Sequence, residues 1–140
     1  MELQDKVKTR VILIEDSETD TYLFKHYFGR FFPSIDLDTY DNGKRALGKL
    51  LNLSSEQKSR VAVVLDLNLP ELNGIEILSE LNRKNEMKNM EIIILSGSNN
   101  PEDKLKCLSL GASDFHVKPI DVEGYEDLMI HSIEKLLSKK

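Results

Sequence analysis

Val61-Ala62-Val63-Val64-Leu65-Asp66 is five apolar residues in succession followed by a carboxylate. A run this short and this apolar reads as a strand covered on both faces. Such a segment ordinarily ends in a turn residue, whereas this one carries an acid to its tip. Two further runs behave alike: Val11-Ile12-Leu13-Ile14 leads to Glu15 and Asp16, and Ile92-Ile93-Ile94-Leu95 leads to Ser96. If the strands are parallel, their ends share one edge of the sheet, where open α/β folds place their ligands.

The remaining segments alternate between strand and helix patterns, which predicts a parallel sheet with helices on both faces. The first strand is expected over Arg10 to Ile14, followed by a helix opened by Ser17, with Asp20 in the capping-box position, and ending near Pro33. Ile35-Asp36-Leu37-Asp38-Thr39-Tyr40 alternates, so it reads as an edge strand with one wet face. Asp41-Asn42-Gly43 turns into a helix over Lys44 to Leu51, and Asn52 to Arg60 reads as the one long polar loop. Asn73 caps a third helix, with Glu76 at the reciprocal position. Asn100-Pro101-Glu102-Asp103 opens a fourth, which Gly111 stops. Asp114 to Val117 is a short fifth strand, and Asp121 opens a last helix with Val122, Tyr125, Met129, Ile133 and Leu136 as its apolar positions.

The fold class that accommodates these elements is a flavodoxin-like (βα)5 three-layer sandwich. Its five-stranded parallel sheet has the order 2-1-3-4-5, which keeps the three apolar strands interior. Right-handed crossovers place the first and last helices on one face and the other three opposite. The 140 residues read as one domain, with a core over about residues 9–137 and no output domain after the last helix.

The net charge of −5 argues against a nucleic-acid surface, and no apolar stretch reaches the length of a membrane span. Met1 to Arg10 lacks the apolar core of a signal peptide. Cys107 is the single cysteine, which excludes an internal disulfide and suits a reducing cytoplasm.

On this sheet Glu15, Asp16, Asp66, Ser96 and Lys118 converge at one edge. Three carboxylates brought together repel, and burying them without a counter-charge is costly. A hard cation with oxygen ligands resolves the conflict, and Mg2+ suits a site of few carboxylates, a carbonyl, waters and a phosphoryl oxygen. Lys118 adds a point charge for an anion and Ser96 a hydroxyl donor. Carboxylate, dication, lysine and hydroxyl around one cavity form a constellation for phosphoryl transfer.

These residues resemble the receiver domains of two-component response regulators. Glu15-Asp16 resembles the acidic pair of that family, Asp66 with Asn68, Pro70 and Gly74 its phosphoacceptor loop, Ser96 its hydroxyl residue, and Lys118-Pro119 its lysine-proline pair. The similarity extends over about Thr9 to Leu137 and is nearest to the chemotaxis-type and phytochrome-associated single-domain regulators.

The resemblance implies that Asp66 accepts a phosphoryl group from a sensor histidine kinase or a histidine phosphotransfer protein. It implies Mg2+ or Mn2+ held by Asp16, Asp66 and the backbone carbonyl of Asn68, with Glu15 acting through water. It further implies a switch in which Ser96 moves inward and Phe115 fills the space, altering the surface of the fourth helix, fifth strand and last helix. That surface would engage a downstream partner or a second copy, with self-catalysed uptake and slow loss as the only chemistry. A cis Lys118–Pro119 bond is part of the same expectation.

The chain departs from the commonest pattern in having Phe115 in place of tyrosine, Gly97 where alanine is frequent, and Ser98 at a position often charged or bulky.

Each of these residues also has a blander reading, and two enzyme or cofactor folds compete. Asp66 and Asn68 alone read as an Asx turn, Glu15 and Asp16 as a helix cap, and Lys118 as a surface lysine; only their convergence argues otherwise. His26, His116 and His131 lack metal-ligand spacing, and Cys107 among leucines reads as a buried hydrophobe. Tyr22, Phe24, Tyr27, Phe28, Phe31 and Phe32 crowd the first helix and its end, so some of them can face a partner. A haloacid-dehalogenase-like hydrolase wants an aspartate two residues past the nucleophile, where Asn68 cannot titrate. A flavodoxin-like cofactor site wants a phosphate loop after the first strand, where Glu15-Asp16-Ser17-Glu18 would repel phosphate. A receiver-fold protein acting without phosphorylation, or as a phosphorelay intermediate, is the remaining alternative; loss of an acid or the lysine would favour the first of these, and none is missing.

Overall fold

In the computed structural model, which describes residues 7–139, five strands form one parallel sheet in the order β2-β1-β3-β4-β5. The strands are β1 (Arg10–Ile14), β2 (Asp36–Tyr40), β3 (Val61–Leu65), β4 (Glu91–Ser96) and β5 (Asp114–Val117). The helices are α1 (Glu18–Phe31), α2 (Gly43–Leu51), α3 (Ser55–Ser59), α4 (Gly74–Arg83), α5 (Pro101–Ser109) and α6 (Val122–Asp127). The last continues through a π-helical turn, Leu128–Ile133, into α7 (Glu134–Leu137). The segment Met1 to Lys6, on which most of the signal-peptide reading rests, lies outside the described residues.

The apolar runs behave as their uninterrupted character requires. All five residues of β3 are buried, and alternate side chains serve opposite layers. Val11, Leu13, Ala62, Val64, Ile93 and Leu95 pack with Phe24, Tyr27 and Phe28 of α1 and with Tyr125, Met129 and Ile133 of the terminal helix. Ile12, Ile14, Val63, Leu65, Ile92 and Ile94 face the other layer, with Ala46 and Leu50 of α2, Ile77, Leu78 and Leu81 of α4, and Cys107 of α5. Each fully buried aliphatic or aromatic side chain contributes about 1.5–3 kcal/mol. Exposed pairs such as Arg10–Asp38 (2.8 Å) contribute about 0–1 kcal/mol, so the two apolar layers hold the sheet together.

Most caps form as their sequences require. Asn73 and Glu76 make the reciprocal box at the start of α4, and Asn100 and Asp121 cap α5 and α6. Three expectations need correction. The polar stretch Asn52 to Arg60 contains α3, fastened by a second capping box between Ser54 and Gln57. It is anchored by the buried Lys58, whose ammonium lies 2.8 Å from Glu86. Val122 is exposed because it is the first residue of α6, and the buried stripe begins at Tyr125 and continues through Leu128, Met129, Ile133, Leu136 and Leu137. All described peptide bonds are trans, Lys118–Pro119 included. The aromatic group at α1 divides as its crowding implies: Phe24, Tyr27, Phe28 and Phe32 are core, while Tyr22 faces outward.

Among the described residues no helix is long and apolar enough to cross a membrane. Cys107 is fully buried, and burial, helped by the nearby Asp103 charge, pushes its thiol up to about 11. We expect Cys107 in the native protein to react with a disulfide reagent near neutral pH on the order of 100-fold more slowly than in urea. Equal rates in the two conditions would contradict the packing of α5 on the sheet.

Candidate functional site

The carboxyl ends of the strands hold their polar residues by continuing the sheet's hydrogen bonding one step further. The Glu15 N–H donates to the Tyr40 carbonyl at 2.9 Å, Asp66 N–H to Ile14 at 3.0 Å, and Lys118 N–H to Ser96 at 2.8 Å. β1 and β3 pair in register, Ile14 opposite Leu65, so Glu15 and Asp66 leave the sheet side by side. Carboxylate oxygens of Glu15, Asp16 and Asp66 lie within 4.8 Å of one another. Glu15 and Asp66 are buried and Asp16 is exposed.

Lys118 reaches into this group from the end of β5. Its Nζ lies 2.8 Å from Glu15 Oε1, 2.8 Å from Asp20 Oδ2 and 3.4 Å from Asp66 Oδ2. Burial works to lower the lysine's pKa, but the bonds from Asp20 and Glu15 and the Asp66 charge outweigh it and hold the pKa above the ordinary value. Burial raises Glu15 to about 7; the Lys118 bond opposes the rise and the Asp66 charge adds to it. The Glu15 Oε2 accepts the Ser17 N–H at 3.1 Å.

Asp66 Oδ1 is buried and has no hydrogen-bond partner among the described residues. An orphaned carboxylate oxygen in a cluster of three acids is a poor resting arrangement for protein alone. The oxygen donor set fits Mg2+ or Mn2+. Asp16 borders two clefts, one of about 790 Å³ shared with Glu15, Tyr22 and Tyr40, and one of about 620 Å³ shared with Asn68 and Pro70. Asp16 therefore stands between the two clefts, while Glu15 lines only the first and Asp66 lies buried behind them.

The loop after Asp66 is shaped by close backbone approach. Gly74 N–H donates to the Leu67 carbonyl at 3.0 Å, and a Cβ on Gly74 would stand 2.5 Å from the Asp66 carbonyl oxygen. Within the loop, Leu72 N–H bonds Pro70 O at 2.7 Å around Glu71, whose φ of 67° is left-handed. A three-residue turn of that hand is strained. Gly43 is needed for a similar reason, since a side chain there would collide with the Leu72 carbonyl.

The other expected residues fall at the same edge with different contacts. Ser96 is buried, and its Oγ accepts the Ser98 N–H at 3.1 Å. Asn68 is exposed in the loop, and Phe115 is buried in the core on the α5 side of the sheet, paired in register with Ile94. A Cβ on Gly97 would meet no atom within 4 Å, so glycine adds room there without being sterically required. Asp20 was missed as a site residue. Its capping-box position suggested a side chain turned back on Ser17, but the Ser17 N–H is taken by Glu15, and the Asp20 carboxylate goes to Lys118 instead.

A family model described as a response regulator receiver domain matches residues 11–129. A two-component response regulator of rice, ORR1, is 29% identical over 124 residues, 86% of this chain and 53% of that protein, so the chain spans about half its length. Rice ORR3 is 33% identical over 110 residues, 79% of each protein. A protein-glutamate methylesterase/protein-glutamine glutaminase of Treponema denticola is 34% identical over 93% of this chain but only 33% of its own length. Among solved structures, the signal receiver domain of a LuxO repressor protein of Vibrio parahaemolyticus superposes with a TM-score of 0.74 at 25% identity, covering 93% of this chain and 90% of that one. The Mn(2+)-bound response regulator Rcp1 shares the fold with a TM-score of 0.76 at 23% identity, covering 94% and 96%.

Two outcomes follow from the geometry. Gly74→Ala forces backbone apart at Asp66 and Leu67, so urea unfolding should show a loss of about 1–3 kcal/mol; an unchanged midpoint would contradict the close approach. Folded Glu15 keeps its proton to about 7 whereas the unfolded side chain releases it near 4.5. In chelator, the stability of the wild type relative to Glu15→Gln should therefore fall by roughly 1–3 kcal/mol as pH rises through that window. A pH-independent difference would show that Glu15 titrates normally.

Proposed function

Because the chain belongs to the response regulator receiver domain family, we propose that Asp66 is the phosphoacceptor of a signalling switch loaded by a sensor histidine kinase or a histidine phosphotransfer protein. The observation that carries this reading is the buried, unpartnered Asp66 Oδ1 beside an Oδ2 held by Lys118 at 3.4 Å. One carboxylate oxygen is left available while the charge of the group is already partly balanced.

In the transfer, a carboxylate oxygen of Asp66 forms a bond to phosphorus. The phosphorus–nitrogen bond of the donor histidine breaks, and its electron pair returns to the imidazole. The product is an acyl phosphate, and no proton has to leave Asp66. Asp16 and Asp66 would hold Mg2+ or Mn2+ together with the Asn68 carbonyl, Glu15 acting through water. Such a cation neutralises charge on the phosphoryl oxygens and on the clustered acids. Lys118 donates to a phosphoryl oxygen and Ser96 supplies a hydroxyl, so the residues act by positioning and charge balance. Asn68, two residues past the acceptor, cannot serve as acid or base, which suits a slowly decaying switch better than a turnover enzyme.

The readout follows from where Ser96 and Lys118 sit. Ser96 Oγ accepts the Ser98 N–H and keeps its own O–H to donate, so a move of this hydroxyl toward a phosphoryl group would pull on the loop that leads into α5. Phe115, opposite Ile94, lies under the same region. The face made by α5, β5 and α6 with its π-helical continuation exposes Leu105, Val117, Val122 and Ile130, apolar surface suited to a protein partner or a second copy. A ligand of that face that prefers one packing shifts the population toward it.

Intact-mass measurement after incubation with acetyl phosphate and Mg2+ tests the reading. We expect one phosphoryl group on the wild type, none on folded Asp66→Asn, and uptake slower by on the order of 100-fold in chelator. Uptake that persists in Asp66→Asn, or that ignores the metal, would overturn it.

A further inference from the structure

The ammonium of Lys118 has three protons to donate, and three carboxylates take them. Two are close, Glu15 and Asp20 at 2.8 Å each, and the third, Asp66, is the most distant at 3.4 Å. The lysine thus rests toward α1 and away from the residue it serves. Asp20 reaches it from the first turn of α1, across 98 positions of sequence. Its carboxylate has no part in the helix cap. The cap needs only the Asp20 N–H, which donates to Ser17 Oγ at 3.2 Å, while the Ser17 N–H is satisfied by Glu15.

The two close partners are not equivalent. The Glu15 side chain is 4% exposed, so losing Lys118 leaves a buried carboxylate without its counter-charge. The Asp20 side chain is 32% exposed and can be hydrated when the pair breaks. When Lys118 turns to a phosphoryl group on Asp66, Asp20 is therefore the partner it gives up. Resting on the phosphoacceptor reading above, we infer that Asp20 is a positioning residue. It competes with the phosphoryl group for Lys118, restrains the lysine on the α1 side, and so slows phosphoryl uptake at Asp66.

The test is a double-mutant cycle on uptake from acetyl phosphate in Mg2+. In that reaction the Asp66 oxygen–phosphorus bond forms, the phosphorus–oxygen bond to acetate breaks, and acetate leaves with the electron pair. Asp20→Asn should raise the rate roughly three- to tenfold. Asp20→Glu, which restores a carboxylate within reach, should return it to within about twofold of wild type. In a Lys118→Ala background the Asp20→Asn substitution should change nothing.

If that background takes up too little to measure, the same cycle is read on equilibrium binding of beryllofluoride in Mg2+. There Asp20→Asn should tighten binding only when Lys118 is present. An effect of equal size without Lys118 overturns the inference, because Asp20 would then act directly on the incoming charge. So does an unchanged or slower rate in Asp20→Asn alone while wild type loads at Asp66. If wild type does not load at Asp66 at all, the phosphoacceptor reading falls and this inference falls with it.

Discussion

One ammonium keeps this sheet edge charged and folded. Two strands, β1 and β3, deliver three acids to one place, two of the three are buried, and burial of an uncompensated carboxylate costs several kcal/mol. Lys118 Nζ contacts Glu15, Asp20 and Asp66 at once. Even so the compensation is incomplete, since Glu15 is raised to about 7 and Asp66 Oδ1 has no partner among the described residues. The site is therefore stable enough to fold and still short of positive charge. That deficit is what a divalent cation is suited to relieve.

The fold makes this arrangement possible by being apolar where the site is not. Both layers of the sheet are filled by aliphatic and aromatic side chains, and the ladder hydrogen bonds run one residue past β1, β3 and β5 into Glu15, Asp66 and Lys118. Rigid backbone carries each functional group, while the connecting loop stores the strain. Gly74 against the Asp66 carbonyl and Glu71 at positive φ both lie in the turn that follows Asp66.

Much of this was legible in the sequence because it rests on local rules. Runs without polar interruption identify β1, β3 and β4 as interior, and Asn73, Asn100 and Asp121 sit where caps must be. The parts that were not legible depend on neighbours far along the chain. α3 is too short to show periodicity, and its signal, Ser54 with Gln57, is a pair of polar residues in a polar stretch. Asp20 looked like a capping residue because its other partner, Lys118, lies on the far strand. Val122 has the spacing of the buried stripe but stands at the first position of α6 and is exposed, and the π-helical turn at Leu128–Ile133 leaves no mark in the apolar pattern.

The most direct test of a single cation and phosphoryl site at this edge is anomalous diffraction from crystals grown with Mn2+ and beryllofluoride. The account requires one manganese peak against Asp16 and Asp66, and a tetrahedral beryllofluoride group bonded to an Asp66 oxygen within reach of Lys118 Nζ. Manganese bound elsewhere, or beryllofluoride absent from Asp66, would contradict it.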